Sequence, residues 1–319
     1  MSDNIKKNVI IIGTGPMAVA HAKAVQQLEV NISVIGRGKK SANKFELETG
    51  ITPVQGGLET YLHNNNLSEE DFVIVAVGTE MLMHILLLLA KQKFNRILIE
   101  KPAAISIEEL LAHQSDLKPI QKRVFVAYNR RTYASVIEAK RLIDEDGGLE
   151  SMHFEFTEWS HKIEPLKKAN RVKENWFFAN STHVVDLAFY IAGLPKEWMA
   201  YSKKGTISWH EKTNYSGAGI TEKGVVFSYL SNWESAGRWG IELLTSNRRI
   251  YLKPLEGVQI QDRGTIQINP HTIDDSIDLK YKPGILLQAK QFIFGTPCAP
   301  TLEEQFEVSS KVYQKILGK

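Results

Sequence analysis

The stretch Asn8-Val9-Ile10-Ile11-Ile12-Gly13-Thr14-Gly15-Pro16-Met17-Ala18 decides how this chain is read. Residues 9–12 are an unbroken β-branched run, the composition of a strand buried on both faces of a parallel sheet. The run stops at Gly13, and a helical pattern takes over at Met17. Strand, glycine turn and helix in this order form a G-x-G-x-x-A fingerprint. Its first glycine permits the tight turn, its second lets the backbone approach a pyrophosphate, and the small Ala18 lets helix and strand pack closely. Pro16 suits the first helical position, where its missing N–H costs little, and the other free N–H groups there can hold phosphate. Gly13, Thr14, Gly15, Pro16 and Met17 are therefore read as contacts of a dinucleotide cofactor.

Working outward, short Val- and Ile-rich runs recur at 32–35, 72–77, 97–100 and 124–127, with helical patterns at 17–28, 39–49, 81–91 and 107–113 between them. Alternation of this kind predicts βαβ units and a parallel sheet. Ser106 with Glu109 reads as a capping box at the start of the fourth helix. After Asn129 the character changes. A helix over 133–144 leads on, and another over 182–192 ends at Gly193. From about Gly224 strands repeat at 225–233, 239–245, 249–254, 258–261 and 265–268, and helices at 285–294 and 302–317 close the chain. The expected fold class is an α/β Rossmann domain with a parallel sheet, residues 1–128, plus an α+β C-terminal domain with an open antiparallel sheet, residues 129–319.

Strand two ends at Ile35-Gly36-Arg37. An NAD site would place Asp or Glu there, about twenty residues past the glycines, to accept the ribose hydroxyls. Arg37 stands instead, followed by Gly38, Lys39, Lys40 and Ser41. A guanidinium and a helix-start hydroxyl suit a 2′-phosphate, so NADP(H) is favoured over NAD(H). The competing reading is a solvated basic turn.

The bulk properties narrow the function. A chain of 319 residues with 43% apolar content supports two cores. A net charge of +3 without a basic stripe argues against nucleic-acid binding. The single cysteine, Cys298, excludes an intrachain disulfide and fits a reducing cytoplasm. The greasiest segment, residues 81–90, is too short to cross a bilayer, and the N-terminus has no apolar signal region. His153, Glu155 and His161 lack a metal-ligand spacing, so no metal is expected.

Further motifs follow in order: His21-Ala22 in the first helix, Val75-Ala76-Val77-Gly78-Thr79 with His84 beyond, Glu100-Lys101-Pro102 at a strand end, and Tyr128-Asn129-Arg130-Arg131. With the glycine turn, this series resembles the glucose–fructose oxidoreductase / inositol dehydrogenase (Gfo/Idh/MocA) family over essentially the whole chain. The resemblance implies an NAD(P)-dependent oxidoreductase that moves hydride to or from a sugar carbonyl or hydroxyl. By the same likeness Gly78 and Thr79 line the nicotinamide ribose, while Glu100, Lys101 and Asn129 reach the cofactor. Lys101 and Arg130 meet substrate, and the 101–102 peptide is cis. It also implies that the second domain's sheet makes homodimer or homotetramer contacts.

The segment Trp176-Phe177-Phe178-Ala179-Asn180-Ser181-Thr182-His183-Val184-Val185-Asp186-Leu187 aligns with the family's catalytic helix, which assigns Asn180, Thr182, His183 and Asp186 to substrate. Helical spacing puts His183, Asp186 and Tyr190 on one face. A place in the first helical turn would lower the imidazole pKa. Many family members have an aspartate four residues before this histidine, where this chain has Ala179. Lys101 and His183 are then the catalytic candidates, with Lys101, His183 or a tyrosine as proton donor and Lys101 as stabiliser of the developing alkoxide. The competing reading of His183 is a structural helix-cap residue.

Between strand 152–157 and this helix lie Trp159, His161, Lys162, Lys167, Lys168, Arg171 and Lys173. Trp159 and Arg171 would suit an anionic substrate such as a nucleotide-linked keto sugar; a solvated charged loop is the alternative. Two other functions fit the sequence, a biliverdin-reductase-like enzyme and a catalytically silent NADP(H)-binding sensor or assembly subunit.

Overall fold

In the computed structural model, residues 6–319 are described. Two compact units emerge: one runs through Asn129 and takes back Leu279–Phe306, and the other holds Arg130–Asp278 and Glu307–Lys319.

The first unit is built on five parallel strands, β1 (Lys7–Ile12), β2 (Val30–Ile35), β3 (Asp71–Val75), β4 (Arg96–Glu100) and β5 (Val124–Ala127), in the order β2-β1-β3-β4-β5. Their Val and Ile runs are buried because helices cover both faces. Val9, Ile11, Val34, Phe72, Ile74 and Leu98 join Ala18, Ala22 and Val25 of the helix Pro16–Val25 in one core. Ala289, Phe292 and Ile293, from the late helix Ile285–Phe294, complete that core. Phe292 meets Phe72 edge-on at 5.7 Å. The predicted capping box is present: Ser106 Oγ accepts from Glu109 N at 3.1 Å, and Glu109 accepts from Ile105 N at 2.8 Å.

The second unit carries an eight-stranded sheet: β6 (Ser151–Glu155), β7 (Pro195–Lys203), β8 (Asn214–Thr221), β9 (Val226–Asn232), β10 (Gly240–Leu244), β11 (Arg248–Leu252), β12 (Val258–Asp262) and β13 (Asn269–His271). Its order is β13-β12-β11-β10-β6-β9-β8-β7. Every pairing is antiparallel except that of β6 with β9. The sheet is therefore mixed, because β6 precedes the helical segment and returns to the middle of a sheet built later in the chain. Strand 265–268 is not formed; those residues are exposed, and the last strand starts at Asn269. One face of the sheet packs on the helix Thr182–Ala192, where Phe189 contacts Phe154 at 5.5 Å and Phe227 at 5.2 Å. Met199, Tyr201, Val226 and Leu230 are exposed on the sheet. Among the described residues no helix is long and apolar enough to cross a membrane.

Candidate functional site

The parallel sheet gathers the predicted cofactor residues at its carboxyl edge. Gly13 to Met17 follow β1, Arg37 follows β2, Gly78 and Thr79 follow β3, Glu100 and Lys101 close β4, and Asn129 follows β5. In an open sheet of this order, ligands bind outside the strand ends where the order reverses, here between β1 and β3.

Gly13 is required by geometry. Its φ is +122°, and a Cβ would stand 2.2 Å from the Ala76 carbonyl oxygen beyond β3. Its N–H donates to Ile35 O at 2.9 Å, which closes the turn against β2. Gly15 is not required by packing among the described residues: beyond its chain neighbours, a Cβ there would meet no atom of theirs within 4 Å. It is the N-cap of the helix Pro16–Val25 and caps no N–H with a side chain. A bare backbone beside open space, at a helix start with free N–H groups, fits a cofactor pyrophosphate.

At the end of β2, Thr14 Oγ1 donates to Ser41 Oγ at 3.0 Å, and Ser41 Oγ donates to Gly38 O at 2.9 Å. A Cβ on Gly36 would lie 2.7 Å from the Thr14 methyl, so the two turns are in close contact. Arg37 is exposed beside them and makes no ion pair among the described residues. Gly78 is exposed and extended, and Thr79 opens a single 3-10 turn to Met81.

Glu100 is turned inward. One carboxylate oxygen lies 2.9 Å from Nε2 of His21, which is fully buried in the first helix, so this pair ties the glycine-turn helix to the end of β4. The Lys101–Pro102 peptide is cis, as the resemblance implied, and Ala103 follows with φ +78°. Gln305 Nε2 donates to Pro102 O at 3.2 Å and to Tyr128 OH at 3.3 Å. Lys101 is half-buried in this turn. Asn129 Nδ2 donates to Pro283 O at 2.9 Å.

In the second unit the segment around His183 differs from the simple helix predicted. A π-helical turn, Phe177–Ser181, runs directly into the helix Thr182–Ala192. His183 therefore lies inside a continuous helical stretch rather than at a free helix start, and the argument from exposed N–H groups does not apply to it. Thr182 Oγ1 is used within the turn, donating to Phe178 O at 2.8 Å. Asp186 accepts two bonds from Arg131, from Nη2 at 2.6 Å and Nε at 2.9 Å. Tyr190 lies beneath that guanidinium at 4.6 Å and accepts from Lys140 Nζ at 3.0 Å. Asp186 and Tyr190 thus brace the helix.

A cluster that sequence reasoning missed lies next to His183. Glu158, just past β6, is almost fully buried and accepts from Asn180 Nδ2 at 3.0 Å, Ser181 Oγ at 2.8 Å and Arg238 Nη1 at 3.3 Å. Burial pushes its carboxyl above the ordinary range against the pull of Ser181 and Arg238. Trp239 is the hub: its ring lies 4.4 Å from the Arg238 guanidinium, 4.8 Å from that of Arg130 and 6.1 Å from the His183 ring. Trp159 is half-exposed, bonded through Nε1 to Gly237 O at 2.8 Å, with Arg238 over its ring at 4.9 Å. Of the predicted substrate residues, Arg130, Trp159, Asn180 and His183 share this cluster; Arg171 is exposed on the short helix Asn170–Glu174. The available signal was Gly237-Arg238-Trp239-Gly240, an Arg-Trp pair framed by glycines at a strand start. No group of three or more His, Cys, Asp or Glu side chains is placed to hold a metal ion among the described residues.

Comparisons with known proteins agree with this geometry. Residues 7–128 match the profile of the GFO_IDH_MocA oxidoreductase family, described as an NAD-binding Rossmann fold. No curated protein sequence matches the chain. Among solved structures, levoglucosan dehydrogenase in complex with NADH is 18% identical with a TM-score of 0.75, covering 98% of this chain and 97% of that one. The WlbA dehydrogenase from Chromobacterium violaceum, in complex with NADH and UDP-GlcNAcA, is 17% identical with a TM-score of 0.70, over 99% and 94%. An oxidoreductase from Agrobacterium radiobacter, in complex with NAD+, L-tartaric acid and magnesium, is 16% identical with a TM-score of 0.73, over 98% and 97%. Residues 7–128 thus match the NAD-binding Rossmann domain of the Gfo/Idh/MocA oxidoreductase family, in a chain that shares the fold of these solved proteins over 98–99% of its length.

Proposed function

We propose that this chain is an NADP(H)-dependent oxidoreductase that transfers hydride to or from a sugar carbonyl or hydroxyl, with nucleotide-linked keto sugars as the substrate class. The single observation that carries the cofactor choice is Arg37, exposed and without an ion-pair partner among the described residues, beside the linked Thr14 and Ser41 hydroxyls. No acid stands at this strand end to receive the ribose hydroxyls, and a guanidinium with neighbouring hydroxyls suits a 2′-phosphate. The three solved structures named above hold NAD+ or NADH, so the preference is argued from this chain's own residues.

In this reading residues 1–128 bind the cofactor and residues 129–319 bind substrate and make homodimer or homotetramer contacts through the sheet. The exposed Met199, Tyr201, Val226 and Leu230 support that use of the sheet. Nicotinamide supplies or accepts the hydride. Lys101 stabilises the alkoxide and moves the proton, and His183 holds the reacting oxygen. The enzyme works in the cytoplasm.

Titration of NADPH and NADH by nicotinamide fluorescence, with wild type beside Arg37→Ala, tests the proposal. NADPH should bind at least tenfold more tightly than NADH, and the difference should vanish in the variant. Equal binding of both, unchanged by the substitution, overturns the phosphate assignment. NADPH binding without turnover across a broad keto-sugar panel would favour the sensor reading.

A further inference from the structure

We propose that Arg130 and Arg238, gathered on the Trp239 indole, form a subsite for an oxyanion carried by the sugar, either a carboxylate or a phosphate. The inference rests on the sugar-oxidoreductase reading and adds the charge of the substrate and the residues that recognise it.

Both guanidinium carbons lie within 5 Å of the same ring, at 4.8 and 4.4 Å. They are therefore no more than about 9 Å apart, inside the ~10 Å over which dilute salt screens charge. Each cation lowers the comfort of the other, and Arg238 is among the causes that hold the Arg130 guanidinium below its ordinary pKa, after burial itself. An anion bound between them would relieve both.

The protein's own acids do not do so. Glu158 touches Arg238 at 3.3 Å, but it also serves Asn180 and Ser181, and burial favours its neutral form. Glu256 acts on Arg130 only as an exposed charge. Arg130 Nε is buried and has no hydrogen-bond partner among the described residues. Arg131, the adjacent residue, marks the contrast, since both its donors to Asp186 are matched. Arg131 is thus matched by both oxygens of Asp186, whereas Arg238 shares Glu158 with Asn180 and Ser181 and Arg130 makes no ion pair among the described residues. A buried donor left without an acceptor is costly, and a guanidinium fork is shaped for a planar or tetrahedral oxyanion.

The subsite can be reached from solvent. Arg238 keeps 43% of its side-chain exposure, and Trp159 beside it is 45% exposed. Trp159 is fixed through Nε1 to Gly237 O and can form a rigid wall for a sugar ring.

The test is calorimetric titration of the full chain with D-glucuronate, glucose 6-phosphate and methyl β-D-glucoside, with NADPH titrated in parallel. The expected result is that one anionic probe binds at least tenfold more tightly than the neutral glycoside. That preference should fall at least tenfold in Arg238→Gln, partly return in Arg238→Lys, and shrink in wild type as salt is raised. Preference for glucuronate identifies a carboxylate as the ligand, and preference for the phosphate ester identifies a phosphoryl group. Equal binding of charged and neutral probes, binding of none of them, or an anionic preference untouched by Arg238→Gln and by salt, overturns the subsite. Failure of the cofactor reading would show separately, as absent NADPH binding.

Discussion

Arg131 closes on both carboxylate oxygens of Asp186, with donor–acceptor distances of 2.6 and 2.9 Å and side-chain exposures of only 14% and 6%. The pair joins the segment that follows β5 to the middle of the helix Thr182–Ala192. Burial makes such a pair asymmetric: removing one partner strands a charge, whereas replacing both with apolar groups can be nearly neutral. Asp186→Asn should therefore destabilise the chain by about 3 kcal/mol in urea unfolding. The double substitution Arg131→Met with Asp186→Leu should recover most of that loss. If the double variant is less stable than the sum of the singles, Asp186 is not acting chiefly as this brace.

The two fingerprint glycines should separate in their effects. Gly13→Ala puts a Cβ 2.2 Å from the Ala76 carbonyl at φ +122°, so the turn and the end of β3 must both move. Backbone strain of this kind and a direct backbone clash together cost on the order of 3 kcal/mol or more. Gly15→Ala meets no atom of the described residues beyond its chain neighbours and should leave the melting temperature of the cofactor-free protein within a few degrees of wild type, while weakening nicotinamide binding at least tenfold. Thermal unfolding and nicotinamide fluorescence on the same two variants decide this. Gly15→Ala with undiminished cofactor affinity would contradict the pyrophosphate position.

The first unit was legible in sequence because burial on both faces writes its strands as plain Val and Ile runs; the predicted runs at 9–12, 32–35, 97–100 and 124–127 all fall inside observed strands. Strands β7 and β8 were not legible, for a physical reason. Gly217 and Gly219 interrupt the alternation of β8, yet a Cβ on Gly217 would lie 2.5 Å from the Tyr229 ring and one on Gly219 2.3 Å from Trp198. Large side chains from neighbouring strands fill the space that residues of β8 would otherwise occupy, so the pattern is shared across strands. The exposed Met199 and Tyr201 of β7 further blur the inward face. The Glu158–Arg238–Trp239 cluster was hidden similarly. Its members come from the end of β6, the turn before β10 and the π-helical turn, and nothing in their spacing along the chain links them. Likewise one helical face carries His183, Asp186 and Tyr190, but the neighbours divide it, with Asp186 and Tyr190 taken by Arg131 and Lys140 and His183 beside Trp239.

Stability should depend on pH through His210. Its Nδ1 lies 2.6 Å from Lys212 O, an acceptor, so Nδ1 carries the proton. Nε2 is then free to accept from the Phe177 N–H at the start of the π-helical turn, at 3.5 Å. Protonation would set two N–H groups against each other in a nest of rings, with Trp233 at 4.6 Å. Burial pushes the His210 pKa down to about 4 from 6.5. A folded-state pKa below the unfolded one means the contribution is complete above pH 6.5 and is lost as pH falls from there to about 4. The loss should be on the order of 3 kcal/mol. Glu138 titrates lower, held at about 2 chiefly by its bond from Arg141, so its contribution fades only below its ordinary value of 4.5, under the pH range of the urea test. Urea midpoints measured from pH 7.5 to 4.5 should decline in wild type and decline far less in His210→Gln. Parallel curves for the two proteins across that range would remove His210 as the source.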